Sequence, residues 1–123
     1  MIAKKILVVD DSLTSLMWQR MILGQEQYSV VTANDGEEGV ARAMDEKPDL
    51  ILMDVVMPKM NGFEACRALR ANSATSRVPV IMVTTKSAAR SVEEGYESGC
   101  SDYITKPIDK LELLSKVKSY LGQ

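Results

Sequence analysis

The sequence contains no histidine. That excludes Ser-His-Asp and Cys-His nucleophilic catalysis, histidine-ligated metals and an internal phosphohistidine. Cysteine is scarce. Cys66 and Cys100 stand far apart with no C-x-x-C pair, so they read as two buried free thiols of a reducing compartment, not as zinc ligands or a secreted disulfide framework. No apolar run approaches the ~18 residues of a membrane span, and no apolar signal segment precedes the first strand-like run. These absences imply a cytoplasmic protein with no membrane insertion. A basic excess is missing too: 15 Lys and Arg stand against 17 Asp and Glu, a formal net charge of −2. The main argument for a direct nucleic-acid partner goes with it. There is no internal repeat, low-complexity tract or linker.

What is present suits one globular domain over residues 1–123. A chain of this length buries roughly two thirds of its unfolded surface and needs no disulfide or metal staple. Apolar runs recur at residues 6–9, 30–31, 50–53, 80–83 and 103–104. Three of them are continuous rather than alternating, the pattern of parallel strands covered on both faces. Helical segments lie between. Residues 12–23 carry Leu13, Leu16, Met17 and Met21, with Ser12 as N-cap. Asp35 and Glu38 form the ends of a capping box opening a second helix, with Val40, Ala43 and Met44 inward. Residues 63–70 turn Phe63, Cys66 and Leu69 inward. Residues 87–98 are more polar and interrupted by Gly95, which predicts a weaker helix. Asp109 caps a fifth helix bearing Leu111, Leu114, Val117 and Leu121, with Gly122 past its end. Met17, Met21 and Met53 read as core filler, Trp18 as partly buried, and Arg67 and Arg70 as a solvated helix face. The polar connection at residues 72–76 is expected to be mobile. Five βα units with right-handed crossovers give an α/β fold, a three-layer sandwich.

In open α/β sheets, ligands bind beyond the carboxyl ends of the strands. Asp10 and Asp11 follow the first strand, Asp54 ends the third, Thr84 and Thr85 end the fourth, and Lys106 with Pro107 follows the fifth. Three carboxylates in one crevice stay ionised together only beside a cation. Oxygen-only ligands favour a hard ion, Mg²⁺ or Mn²⁺. A metal, a lysine and a hydroxyl around a carboxylate make a site for phosphoryl transfer by charge neutralisation and positioning. The carboxylate can itself accept the phosphoryl group.

These residues resemble the receiver domain of two-component response regulators, with chemotaxis-type members the nearest in kind, over residues 4–121. The most specific stretch is Asp54-Val-Val-Met57-Pro58-Lys-Met-Asn-Gly62, similar to the family's D-x-x-M-P-x-x-x-G. Asp10-Asp11 matches its acid pair, Thr84 its switch hydroxyl, Tyr103-Ile-Thr-Lys106-Pro107 its last-strand motif, and Gly99 the glycine before that strand. The resemblance implies a flavodoxin-like, five-stranded parallel sheet of order 2-1-3-4-5 with five helices. It implies that Asp54 accepts a phosphoryl group from a sensor histidine kinase. Asp11, Asp54 and the backbone carbonyl of Val56 would ligate Mg²⁺, and Asp10 would hold a metal-bound water. Lys106 would pair with a phosphoryl oxygen and precede a cis proline. Thr84 would move onto the phosphoryl group and Tyr103 would rotate inward, altering the α4-β5-α5 face that meets an unknown downstream protein.

Two positions depart from a water-positioning pattern. Val56 is apolar and Lys86 cationic, so neither orients an attacking water, and a long-lived phospho-Asp54 is expected. Thr85 stands where a smaller residue is common and would tighten access for donors. The reading is a phosphorylation-dependent signalling switch that catalyses only its own phosphorylation and dephosphorylation. A fifth helix ending at Leu121 leaves no effector in this sequence. The outputs left open are a stand-alone regulator, a phosphorelay shuttle to a histidine phosphotransfer protein, and a receiver from a longer protein. A phosphorylation-independent interaction module would not need three repelling acids. An aspartyl phosphohydrolase would need a second acid where Val56 stands.

Overall fold

The computed structural model describes residues 3–85 and 89–122, and in it each apolar run becomes a strand. The order is β1 (Lys5–Val9), α1 (Leu13–Gln25), β2 (Ser29–Ala33), α2 (Gly36–Glu46), β3 (Leu50–Asp54), α3 (Gly62–Ala71), β4 (Val80–Thr84), α4 (Ala89–Glu97), β5 (Asp102–Thr105) and α5 (Lys110–Leu121). All strand pairs are parallel and the sheet order is 2-1-3-4-5. Because side chains alternate across a strand, the continuous runs feed two cores. Ile6, Val8, Leu50, Leu52, Ile81 and Val83 pack under α1 and α5, against Leu16, Ile22, Leu113 and Val117. Leu7, Val9, Ile51, Met53, Val80 and Met82 face the other way, onto Ala43 of α2 and Phe63, Cys66 and Leu69 of α3.

Local chemistry sets the helix ends. Ser12 caps α1 by accepting from Ser15 N, and Asp109 caps α5 by accepting from Glu112 N. At α2, Asp35 accepts from Glu38 N at 2.8 Å, but Glu38 reaches back to Asn34 N instead of Asp35 N. The reciprocal capping box is at α3, between Asn61 and Glu64. α4 runs unbroken through Gly95, where a Cβ would stand 3.0 Å from the Tyr103 ring. The glycine therefore lets the helix sit against that tyrosine. The expected start of this helix at Ser87 lies outside the described residues.

Several sequence expectations are corrected. Met17 and Met21 are not core filler: they are 62% and 51% exposed, and Leu13 is exposed with them. The buried face of α1 is Leu16, Gln19, Ile22 and Leu23. Met44 and Leu111 also face solvent, because α2 turns Gly36, Gly39 and Ala43 inward and α5 turns Leu113, Leu114 and Val117 inward. Arg70 is not on a solvated face. Its guanidinium donates to the carbonyls of Gly99 (2.8 Å) and Val78 (2.7 Å). Residues 72–76 are tied down as turns: the Thr75 hydroxyl is buried and donates to Leu69 O at 2.6 Å. Both cysteines are free and buried, as expected. Burial pushes their thiols up, Cys100 to about 11.

Candidate functional site

β1 and β3 lie side by side in parallel, so their carboxyl ends bring the first and third sets of acids together. One carboxylate oxygen from each of Asp10, Asp11 and Asp54 lies within 4.8 Å of the others. Asp10 and Asp54 are buried and Asp11 is exposed. Lys106 comes from the loop after β5, through a cis Lys106–Pro107 bond. Its main-chain N–H donates to Thr84 O. Its Nζ lies 3.0 Å from Asp10 Oδ2 and 3.6 Å from Asp54 Oδ1.

One cation among three acids leaves an excess of negative charge. Burial, followed by the Asp10 charge, pushes the Asp54 carboxyl up to about 6, with Lys106 pulling the other way. A divalent cation would relieve that repulsion. The donors are carboxylate oxygens close enough to share one ion, and they suit a hard metal such as Mg²⁺.

The turn after β3 is built for this geometry. Gly62 N–H donates to Val55 O at 2.9 Å, and a Cβ on Gly62 would lie 2.2 Å from Asp54 O. Only glycine lets the start of α3 approach the main chain of the acid this closely. Lys59 turns the intervening loop with a φ of 68°. Val56 is exposed in that loop.

Thr84 and Tyr103 are both buried as well. Burial raises the tyrosine hydroxyl, and the neighbouring Thr84 side chain acts in the opposite direction. That hydroxyl meets no hydrogen bond of full geometry among the described residues. Tyr103 is thus already inward in this structure. Behind it, Lys116 Nζ donates to Tyr103 O at 2.6 Å and to Asp102 Oδ1 at 3.0 Å, tying β5 to α5. Thr85 is exposed, and Lys86 lies outside the described residues.

The sequence reading missed three residues. Gln19 donates to Asp10 from inside α1; a lone Gln on an apolar face was the available signal. Arg70 and Lys116 act through carbonyls remote in sequence, which leaves no local pattern. Between α1 and the β5–α5 loop runs a groove lined by Trp18, Lys106, Pro107 and Ile108. The Trp18 Nε1 donates to Ile108 O at 3.2 Å. No helix among the described residues is long and apolar enough to cross a membrane.

The family model for the response regulator receiver domain matches residues 6–118. Protein PilH of Pseudomonas aeruginosa is 44% identical over 118 residues, covering 96% of this chain and 98% of that protein. Response regulator PleD of Caulobacter vibrioides is 42% identical over 115 residues, which are 94% of this chain and 25% of that protein. Among solved structures, chemotaxis protein CheY4 of Vibrio cholerae superposes with a TM-score of 0.92 at 34% identity, covering 97% of this chain and 99% of that one. The receiver domain of a sensor histidine kinase from Pseudomonas aeruginosa, with magnesium coordinated in its active site cleft, gives a TM-score of 0.92 at 30% identity. It covers 99% of this chain and 100% of that one.

Proposed function

The chain belongs to the response regulator receiver domain family of two-component signalling, and from that premise we propose that it is a switch thrown by phosphorylation of Asp54. The observation that carries the reading is the gathering of Asp10, Asp11, Asp54 and Lys106 at one sheet edge. An Asp54 oxygen attacks the phosphorus of a phosphohistidine on a sensor kinase. The new O–P bond forms as the P–N bond breaks, and the imidazole leaves. Asp11, Asp54 and the Val56 carbonyl would hold Mg²⁺ or Mn²⁺, with Asp10 holding a metal-bound water, and the bound ion would supply charge neutralisation for the phosphoryl oxygens. Lys106 turns from Asp10 to a phosphoryl oxygen, which becomes its new partner.

The donor must bring its imidazole over Asp54, so its body lies on the rim of the site. Leu13, Met17, Trp18 and Met21 are apolar and exposed on α1, and Trp18 lines the groove beside Lys106, so this face is the seat assigned to the donor. The readout runs from Thr84 to Tyr103 and, through Lys116, to α5. The phosphoryl group biases an existing equilibrium of this face and so changes partner binding. The whole of residues 1–123 acts as one receiver unit, and its only chemistry is the gain and loss of its own phosphoryl group.

Amide NMR spectra test this. With Mg²⁺ and acetyl phosphate, signals of Thr84, Tyr103 and α5 should shift beyond the change that Mg²⁺ causes alone. Shifts confined to the acid cluster would contradict the switch.

A further inference from the structure

Gln19 sits on the buried face of α1 among Leu16, Ile22 and Leu23, and it is 1% exposed. A leucine would fill that place without polar cost. Instead the amide nitrogen donates to Ser15 Oγ at 3.1 Å, to Ser15 O at 3.3 Å and to Asp10 Oδ2 at 3.4 Å. The amide oxygen is buried and has no hydrogen-bond partner among the described residues. Reversing the amide would not repair this, because its oxygen would then face the Asp10 carboxylate and the Ser15 carbonyl, two acceptors. A buried orphan oxygen is a standing cost. Its placement against an acid of the site indicates what the cost supports.

Among the described residues, Asp10 is held by three donors. Ser12 N–H holds Oδ1 at 2.9 Å. Lys106 and Gln19 both hold Oδ2. Lys106 also faces Asp54, and in the reading above it leaves Asp10 for the phosphoryl group. Asp10 is 1% exposed, so bulk water cannot replace the departing ammonium.

We infer that Gln19 is a positioning residue for Asp10, the side-chain donor that keeps Oδ2 oriented when Lys106 is drawn away. Ser15, one helical turn before Gln19, fixes the amide in place. Gln19 thereby lets one lysine serve two acids in turn without loss of the oxygen arrangement that holds the cation. The inference rests on the reading of Asp10 as part of the metal site.

The test is calorimetric titration of the full chain with Mg²⁺, for Gln19→Leu and Gln19→Met, each made alone and with Lys106→Ala. Where Lys106 is absent, loss of Gln19 should weaken Mg²⁺ binding by about 10-fold, as for other groups that orient metal ligands. Where Lys106 is present, the loss should be smaller. The metal-free melting midpoint should stay level or rise, because the orphan oxygen is gone. Equal effects in both backgrounds, or no effect in either, would overturn the inference. So would a fall in the metal-free midpoint with unchanged affinity, which marks a merely structural residue. If the unsubstituted chain bound no Mg²⁺, the metal-site reading itself would fall, and this inference with it.

Discussion

The Lys106 ammonium lies 3.0 Å from Asp10, closer than its 3.6 Å to Asp54. The cation that is to stabilise a phosphoryl group therefore rests mainly on the neighbouring acid and partly fills the role a metal would take. Lys106→Ala should bind Mg²⁺ more tightly, because a competing positive charge is removed. It should accept a phosphoryl group more slowly, by about 100-fold, the usual effect of deleting one charge-stabilising donor. A Mg²⁺ titration and a rate measured at saturating Mg²⁺ separate the two effects. Weaker metal binding would contradict the arrangement.

The Asp54 carboxyl, raised to about 6 by burial and by the Asp10 charge, makes stability depend on pH. An acid whose folded pKa is raised binds its proton more tightly when folded, so its ionisation destabilises the fold. The metal-free protein should lose stability from this group as pH rises from about 4 to about 6, by up to about 3 kcal/mol. Asp54→Asn removes the loss. The variant should melt higher than the parent at pH 7.5 without metal, and the gap should close below pH 4. A parent that is as stable as the variant at pH 7.5 would count against crowded acids.

Arg70 joins the end of α3 to the segments entering β4 and β5, donating to Val78 O at 2.7 Å and Gly99 O at 2.8 Å. Gly99 has a φ of 99°, and a Cβ there would stand 2.8 Å from Arg70 Cγ. Arg70→Ala should cost about 2–3 kcal/mol, since it strips charged donors from partly buried carbonyls. Arg70→Lys should recover little, because one ammonium cannot reproduce the guanidinium fork. Urea unfolding measures both, and a neutral Arg70→Ala would contradict the account.

Legibility in the sequence followed the physics. Continuous apolar runs such as residues 50–53, regularly spaced between helical segments, suit strands covered on both faces, so the layered sheet and its acid edge could be read in advance, whereas the strand order came only with the family resemblance. α1 could not be read this way. Leu13, Leu16, Met17, Trp18, Met21, Ile22 and Leu23 surround the helix, and no single stripe points inward. The inward face contains Gln19, the polar residue a hydrophobic count passes over. Arg70 and Lys116 find their partners 29 and 13 residues away, contacts that exist only once the chain has folded. Asp54 and Lys106 were legible because one ends β3 and the other follows β5, strand ends that a parallel sheet places at the same edge.

Val56 is 67% exposed two residues after Asp54, and it has no group to orient an attacking water. Phospho-Asp54 in the isolated protein should persist for minutes or longer. Val56→Asn, which supplies an amide at the same place, should shorten that lifetime. A decay trace of the purified phosphoprotein reads both, and loss within seconds in the parent would contradict the role given to Val56.

The central claim is that Asp54 accepts a phosphoryl group with the help of a divalent cation. Intact mass after incubation with acetyl phosphate, with and without Mg²⁺ and with Asp54→Asn alongside, tests it most directly. The account predicts a single phosphoryl adduct that needs Mg²⁺ and is absent from the variant. An adduct that survives Asp54→Asn, or none from a protein shown to bind Mg²⁺, would contradict it.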